Sequence, residues 1–200
     1  MLTLKQKILR IGLMAAAVLF TAPAIAHSGA SYGVTSFSSG FFHPFSGWDH
    51  ALAMLAVGLW LAQLQRPTRT RLLLVFPAMM IPGAMASAGG LAVPGVEPGI
   101  AASLVVSGLL VAFALRMPGW FSASLISFFA VLHGYAHGSE LQSDVSLMGY
   151  GAGFVCASLV LQAAGLFLGA FARKAFAKRA VRMAGAGVAI AGVCLLAGVA

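Results

Sequence analysis

Apolar residues occur in this chain as long runs, separated by short polar segments. Sixty per cent of its 200 residues are hydrophobic and only 8% are charged, whereas about a quarter of the residues of an ordinary globular protein carry a charge. So few charged side chains cannot cover the surface of a water-soluble domain of this length. The sequence therefore predicts an all-α membrane protein, a polytopic bundle of helices embedded in the lipid bilayer.

The basic residues lie in clusters between the apolar runs. In a soluble protein a formal net charge of +8 would suggest a nucleic-acid partner. Here the positive charges are not spread over an amphipathic surface, so we predict no nucleic-acid partner and interpret them as marks of membrane topology. Cys156 and Cys194 both lie inside apolar runs, which excludes a disulfide framework and a cysteine-rich zinc site.

Residues 1–26 have the order of a secretory signal peptide. A basic start is followed by an apolar stretch over residues 11–20, which is too short to cross a membrane, and by the small-x-small sequence that ends at Ala26. We predict cleavage after Ala26, so that His27 becomes the first residue of the mature protein. An uncleaved anchor helix is the alternative.

Residues 27–200 are predicted to form one transmembrane domain with six spans. A start on the outer side places all nine basic residues after residue 26 on the cytoplasmic side, as the positive-inside rule requires. This topology predicts a multi-pass protein of the bacterial inner membrane, with both mature termini in the periplasm, and it leaves the oligomeric state open. The spans cover about residues 48–64, 72–89, 99–115, 119–138, 145–170 and 181–199.

Acidic residues and histidines gather at or near the outer ends of these spans. Such groups are costly in lipid and usually mark an ion or proton path. All four acidic residues and all five histidines of the chain belong to this outer set: Asp49, Glu97, Glu140, Asp144, His27, His43, His50, His133 and His137.

The first polar motif is FFHPFSGWDHALAMLAVG, residues 41–58. His43 precedes Pro44, and a residue before proline is disfavoured in a helix, so we expect a loop or re-entrant turn there. Asp49 and His50 begin the first span. His50 and Met54 are four residues apart and therefore share one helical face.

The second motif is LHGYAHGSE, residues 132–140, at the outer end of the fourth predicted span. His133 and His137 are at i and i+4, and Glu140 follows on the same face. An i, i+4 histidine pair can present two imidazole nitrogens to one metal ion. Two buried structural histidines, or a proton relay, are the alternatives.

Less specific roles also remain open for residues of the first motif. Asp49 can stabilise a first helical turn through the helix dipole, Trp48 can anchor the chain at the membrane interface, and Met54 can be a core residue. His27 would add an α-amino group and an imidazole for a cation if the signal peptide is cleaved before it.

At these two motifs the chain resembles the HupE/UreJ family of membrane proteins, which are linked to nickel supply for hydrogenase and urease. The resemblance extends over essentially the whole chain. The first family motif, His-Pro-x-x-Gly-x-Asp-His-x-x-x-Met-x-x-x-Gly, is matched at every fixed position by His43, Pro44, Gly47, Asp49, His50, Met54 and Gly58. The second, His-Gly-x-Ala-His-Gly-x-Glu, is matched by His133, Gly134, Ala136, His137, Gly138 and Glu140.

The resemblance implies nickel uptake across the inner membrane, an indirect link to hydrogenase or urease maturation, and no enzymatic activity. Imidazole and carboxylate suit nickel, cobalt, zinc or copper, so the choice of nickel as substrate rests on the resemblance, and cobalt or zinc stays open. No resident cofactor is predicted. The metal-binding residues carried over are His43, Asp49, His50, His133, His137 and Glu140, with His27 and Met54 as further candidates.

Two other functions fit the same residues. In a zinc-dependent intramembrane hydrolase, three histidines would hold the metal and Asp49 or Glu140 would act as the base. In a metal sensor or accessory protein, the site would bind the ion without transporting it. A wide lateral lipid pocket would favour the hydrolase, whereas a polar path that continues inward would favour a permease.

Overall fold

The computed structural model describes residues 36–141, 145–172 and 175–199. Within these ranges the chain forms seven α-helices and no strand, which confirms the all-α fold class. The predicted signal peptide, its cleavage site and His27 lie outside the described residues. The helices are α1 (Ser36–Ser46), α2 (Trp48–Leu61), α3 (Arg66–Ala88), α4 (Val96–Phe113), α5 (Gly119–Ser139), α6 (Leu147–Phe171) and α7 (Ala175–Leu196).

Helices α2 to α7 coincide with the predicted spans to within a few residues at most ends. Four helical segments are long and apolar enough to cross a membrane, namely α3, α4, α6 and the part of α7 from Ala177 to Leu196. Helix α2 has 14 residues and is short for a span. Helix α5 has 21 residues but is not among the four. Helix α2 is apolar and falls short only in length, whereas the polar residues of the second histidine motif lower the mean hydropathy of α5, so the six-span count stays a prediction.

The expectation of a loop at His43 and Pro44 is wrong. Both residues lie inside α1, and Pro44 is buried. Proline lacks the N–H that would bond to the carbonyl of Gly40, but the helix ends only two residues later, at Ser46, so little of it depends on that bond. Packing of α1 on α6 stabilises the helix and overrides the local preference.

Close helix pairs hold the bundle together, chiefly α3 with α5, α4 with α7, and α6 with both α1 and α2. Glycines stand where the backbones approach. A Cβ atom at Gly134 would strike the carbonyl oxygen of Met80, and one at Gly153 would strike that of Phe37. Glycines at these positions therefore mark close helix contacts, of α5 with α3 and of α6 with α1.

Substitution of Gly134 by alanine should destabilise the bundle. Because the added methyl group meets backbone and not a flexible side chain, α3 and α5 must move apart, at a cost of about 1–3 kcal/mol. The matched control is Gly151→Ala, where the new Cβ meets open space. Thermal unfolding in detergent should show a lower midpoint for Gly134→Ala and no loss for Gly151→Ala. Equal midpoints would contradict the packing described for α3 and α5.

Candidate metal centre

Four histidines from three helices converge near one end of the bundle, the end that the predicted topology places outside. His43 comes from α1, His50 from the first turn of α2, and His133 and His137 from successive turns of α5. The ring centroid of His137 lies 4.3 Å from that of His50 and 4.8 Å from that of His43. The His50 and His133 centroids are 5.3 Å apart. The two sequence motifs therefore meet in space, and His137 occupies the middle of the group.

The outer part of the group combines two imidazoles with a carboxylate. Glu140 is the C-cap of α5, and its Oε2 lies 3.0 Å from Nε2 of His43 and 3.4 Å from Nδ1 of His137. One ligand atom from each of these three residues lies within 4.8 Å of the others. With metal–ligand bonds of about 2.0–2.2 Å, donors at this separation can close around one ion after small side-chain rotations.

The inner part of the group consists of His50 and His133, and a hydrogen bond at Nδ1 fixes the orientation of each ring. Nδ1 of His50 lies 2.9 Å from Oδ1 of Asp49, and Nδ1 of His133 lies 2.9 Å from the carbonyl oxygen of Phe129. Carboxylate and carbonyl oxygens only accept, so in neutral rings both Nδ1 atoms carry the proton and each Nε2 keeps a free lone pair. Metal-ligating histidines are commonly held in this way.

The free nitrogens are buried and have no hydrogen-bond partner in the described part of the chain. They are Nε2 of His50, Nε2 of His133 and both ring nitrogens of His137, whose 3.4 Å approach to Glu140 is too poorly aligned to count as a hydrogen bond. A buried polar atom without a partner costs about 1–3 kcal/mol. So many unpaired ring nitrogens in one place, at least one of which is an acceptor in each ring, fit a site that is completed by a cation.

Aromatic side chains close the group on its membrane side. The ring of Phe154 on α6 packs 4.2 Å from that of His137, and Tyr150 lies one turn above it, 5.7 Å from His43. Phe76 on α3 packs 5.4 Å from His133. Sequence reasoning missed these residues; the i, i+4 spacing of Tyr150 and Phe154 at the outer end of a span was the available signal. An apolar wall of this kind excludes water and strengthens charge interactions inside the site.

Glu140 supplies permanent negative charge at the mouth of the group. The imidazoles of His137 and His43, which face its carboxylate, hold the pKa of Glu140 well below its usual range. The carboxylate therefore stays ionised throughout the pH range in which histidines change charge. Half of its side-chain surface is exposed, so the negative charge can act on cations in solution.

The other predicted residues have different surroundings. Asp49 faces Nδ1 of His50 and so orients that ring. Met54 is completely buried within the apolar core. His27 and Asp144 lie outside the described residues, and Glu97 is exposed in the first turn of α4.

A lateral cavity of about 550 Å³ opens beside the group, between α3, α5 and α6. Its lining is apolar except for His137 and Tyr150, and it includes Met80, Met85 and Phe154. An apolar, open cavity of this size in a bilayer can hold a lipid acyl chain.

Comparison with known proteins agrees with the two motifs. A family model described as HupE / UreJ protein matches residues 15–195. The chain is 36% identical over 176 residues to Protein HupE of Rhizobium leguminosarum bv. viciae, and the match covers 88% of this chain and 92% of that relative. No solved structure matches the chain.

Proposed function

The chain belongs to the HupE/UreJ family, and on this premise we propose that it is an inner-membrane permease for a divalent transition-metal ion, with nickel as its substrate. The ion would be delivered to hydrogenase or urease maturation. One observation carries the proposal: the rings of His50, His133 and His137, whose buried Nε2 atoms lack partners, lie close together beside the carboxylate of Glu140. A ligand set of mostly neutral imidazoles with few carboxylates suits nickel, cobalt and zinc, whereas calcium or magnesium would need more oxygen ligands.

Capture proceeds from the exposed to the buried donors. Glu140 and His43 are partly exposed, so they meet the hydrated ion first and replace part of its water shell. His137 is almost fully buried and contacts the rings of both His43 and His50. It can therefore hold the ion together with the outer pair and then with the inner pair, His50 and His133. In that exchange the ion moves away from the carboxylate of Glu140.

The membrane potential can drive the ion inward. An inside-negative potential of about 100 mV contributes roughly 4.6 kcal/mol for a divalent cation, twice the value for a single charge. No Walker A sequence occurs in the chain, so ATP hydrolysis by that route is not part of the proposal. The site needs only to bind the ion at the periplasmic face and release it inward.

The zinc-dependent hydrolase is the second candidate, and the lateral cavity beside His137 is the observation in its favour. A hydrolase would admit its substrate from the lipid through this cavity and would carry no ion flux. Membership of the HupE/UreJ family does not favour it. A metal-binding accessory protein would bind nickel equally well and would also carry no flux.

Nickel uptake into proteoliposomes that contain only this protein tests the proposal. Uptake would exclude both alternatives, whereas tight binding without uptake would exclude the permease. Competition by cobalt, zinc and copper then tests the choice of ion. A wide preference for zinc would count against nickel.

Nickel binding should weaken as the pH falls. Metal and proton compete for the same imidazole nitrogens, so each ligand that titrates at its ordinary pKa near 6.5 costs about tenfold in affinity between pH 7.5 and 5.5. Because the pKa of Glu140 lies well below this window, its carboxylate does not contribute to the loss. Isothermal titration in two buffers of different ionisation enthalpy would measure affinity and proton release together. An affinity that does not change over this range would exclude as a ligand any histidine that titrates at its ordinary pKa.

A further inference from the structure

Gln162 is a polar residue of α6 that the capture site does not use. Its side chain is completely buried, and neither its amide nitrogen nor its amide oxygen has a hydrogen-bond partner in the part of the chain that the structure describes. Without a partner, a buried amide costs about 1–3 kcal/mol on the scale of protein mutations, and lipid offers no water to compensate. Gln63, by contrast, donates from its amide nitrogen to the carbonyl oxygen of Val111, so that only its amide oxygen lacks a partner among the described residues.

The position of Gln162 links it to the histidine group. It lies eight residues after Phe154 on the buried face of α6, which is about 12 Å along the helix axis. Phe154 contacts His137, and the predicted topology runs α6 from the outer to the inner side. Gln162 is therefore on the same face as the capture site and deeper in the membrane.

Two further side chains that could bind a metal ion lie between Phe154 and Gln162. Ser158 is completely buried one turn inward of Phe154, and its hydroxyl lies 3.7 Å from the Sδ atom of Met80 on α3. Met80 and His137 also line the same cavity. Inward from His137, the side chains of Met80, Ser158 and Gln162 thus offer a thioether, a hydroxyl and an amide.

We propose that Met80, Ser158 and Gln162 form an inner transit site, which receives a partly hydrated divalent transition-metal ion from the histidine group. The proposal rests on the proposed permease function. A thioether suits the softer first-row ions, and the hydroxyl and amide oxygens can replace water. All three donors are neutral, so the ion is held weakly enough to leave, as conduction through a multi-site pathway requires.

Equilibrium binding of radiolabelled nickel to the protein in nanodiscs tests the transit site independently of transport. The wild type should bind one tight and one weaker equivalent. Gln162→Leu should lose the weaker equivalent and keep the tight one within about twofold, because the histidine group is unchanged. Uptake by the same variant in proteoliposomes should fall about tenfold or more, since one site of the pathway is gone. Retention of the tight equivalent shows that the variant is folded.

Two further variants complete the experiment. Gln63→Leu is the matched control, and it should leave both equivalents and uptake unchanged within about twofold. Gln162→Glu adds a negative charge, so the weaker equivalent should tighten by about tenfold or more while uptake falls, because the ion leaves more slowly.

Three outcomes would overturn the transit site. The first is a single bound nickel equivalent in the wild type, and the second is a weaker equivalent that persists in Gln162→Leu. The third is uptake by Gln162→Leu equal to that of a transporting wild type. In each case the role of Gln162 would be structural only. If the wild type carries no flux but loses its second equivalent in Gln162→Leu, the permease function fails and the inner site stands.

Discussion

Replacement of His137 by phenylalanine is expected to abolish nickel capture. His137 is the one histidine whose ring contacts both His43 and His50 among the described residues, and it also faces Glu140. Phenylalanine keeps the ring volume and the packing against Phe154 but removes both nitrogens. We expect a loss in affinity of roughly 100-fold or more, since even changes to the partners of metal ligands cost 10–100-fold. Isothermal titration with nickel in detergent measures it.

Tyr135→Phe on the same helix is the matched control for this variant. It removes a hydroxyl that donates to the carbonyl oxygen of Leu91, outside the histidine group. Its nickel affinity should stay within about twofold of the wild type, because it touches none of the proposed ligands. Nickel affinity within a few-fold of wild type in His137→Phe would exclude His137 as a ligand and would break the proposed sequence of capture.

Removal of the Asp49 carboxylate should have the second largest effect. Asp49 accepts from Nδ1 of His50 and so directs the lone pair of Nε2 into the group. Asp49→Ala frees the ring and its tautomer, and nickel affinity should fall about 10–100-fold. In Asp49→Asn the amide oxygen can still accept from Nδ1, so most of the affinity should return. Titration calorimetry on both variants measures the difference.

This pair of substitutions distinguishes a positioning residue from a ligand. If Asp49 bound the ion directly, Asn would fail about as badly as Ala, since the charge would be lost in both. Trp48→Phe, an exposed change on the same turn, is the control and should leave affinity unchanged within about twofold. An unaltered affinity in Asp49→Ala would contradict the role assigned to the His50 tautomer.

The sequence was sufficient to predict helices α2 to α7 and much of the candidate site. Apolar runs long enough to span a bilayer have few alternatives to helix, so α3 to α7 followed from length and hydropathy. The histidine motifs followed from the cost of such groups in lipid. Helix α1 was missed because proline after His43 disfavours helix locally, whereas contact with α6 favours it.

Pairings between distant segments could not be predicted from the sequence. The contact between Nε2 of His43 and Oε2 of Glu140 depends on how α1 and α5 are placed in the bundle, which periodicity does not encode. The hydrogen bond from Nδ1 of His133 to the carbonyl oxygen of Phe129 is local, but a buried histidine ring has many other orientations that the sequence does not exclude. Gln162 was not singled out because a lone amide in an apolar run has no pattern, and only its burial without a partner distinguishes it.

Uptake of radiolabelled nickel by proteoliposomes that contain only this protein tests the central proposal most directly. Vesicles with an imposed inside-negative potential should accumulate nickel when they hold the wild type, and accumulation should fall to the level of protein-free vesicles with His50→Ala. Collapse of the potential should reduce accumulation by the wild type. Tight binding by the wild type without any uptake would contradict the permease function and leave the protein as a metal-binding accessory.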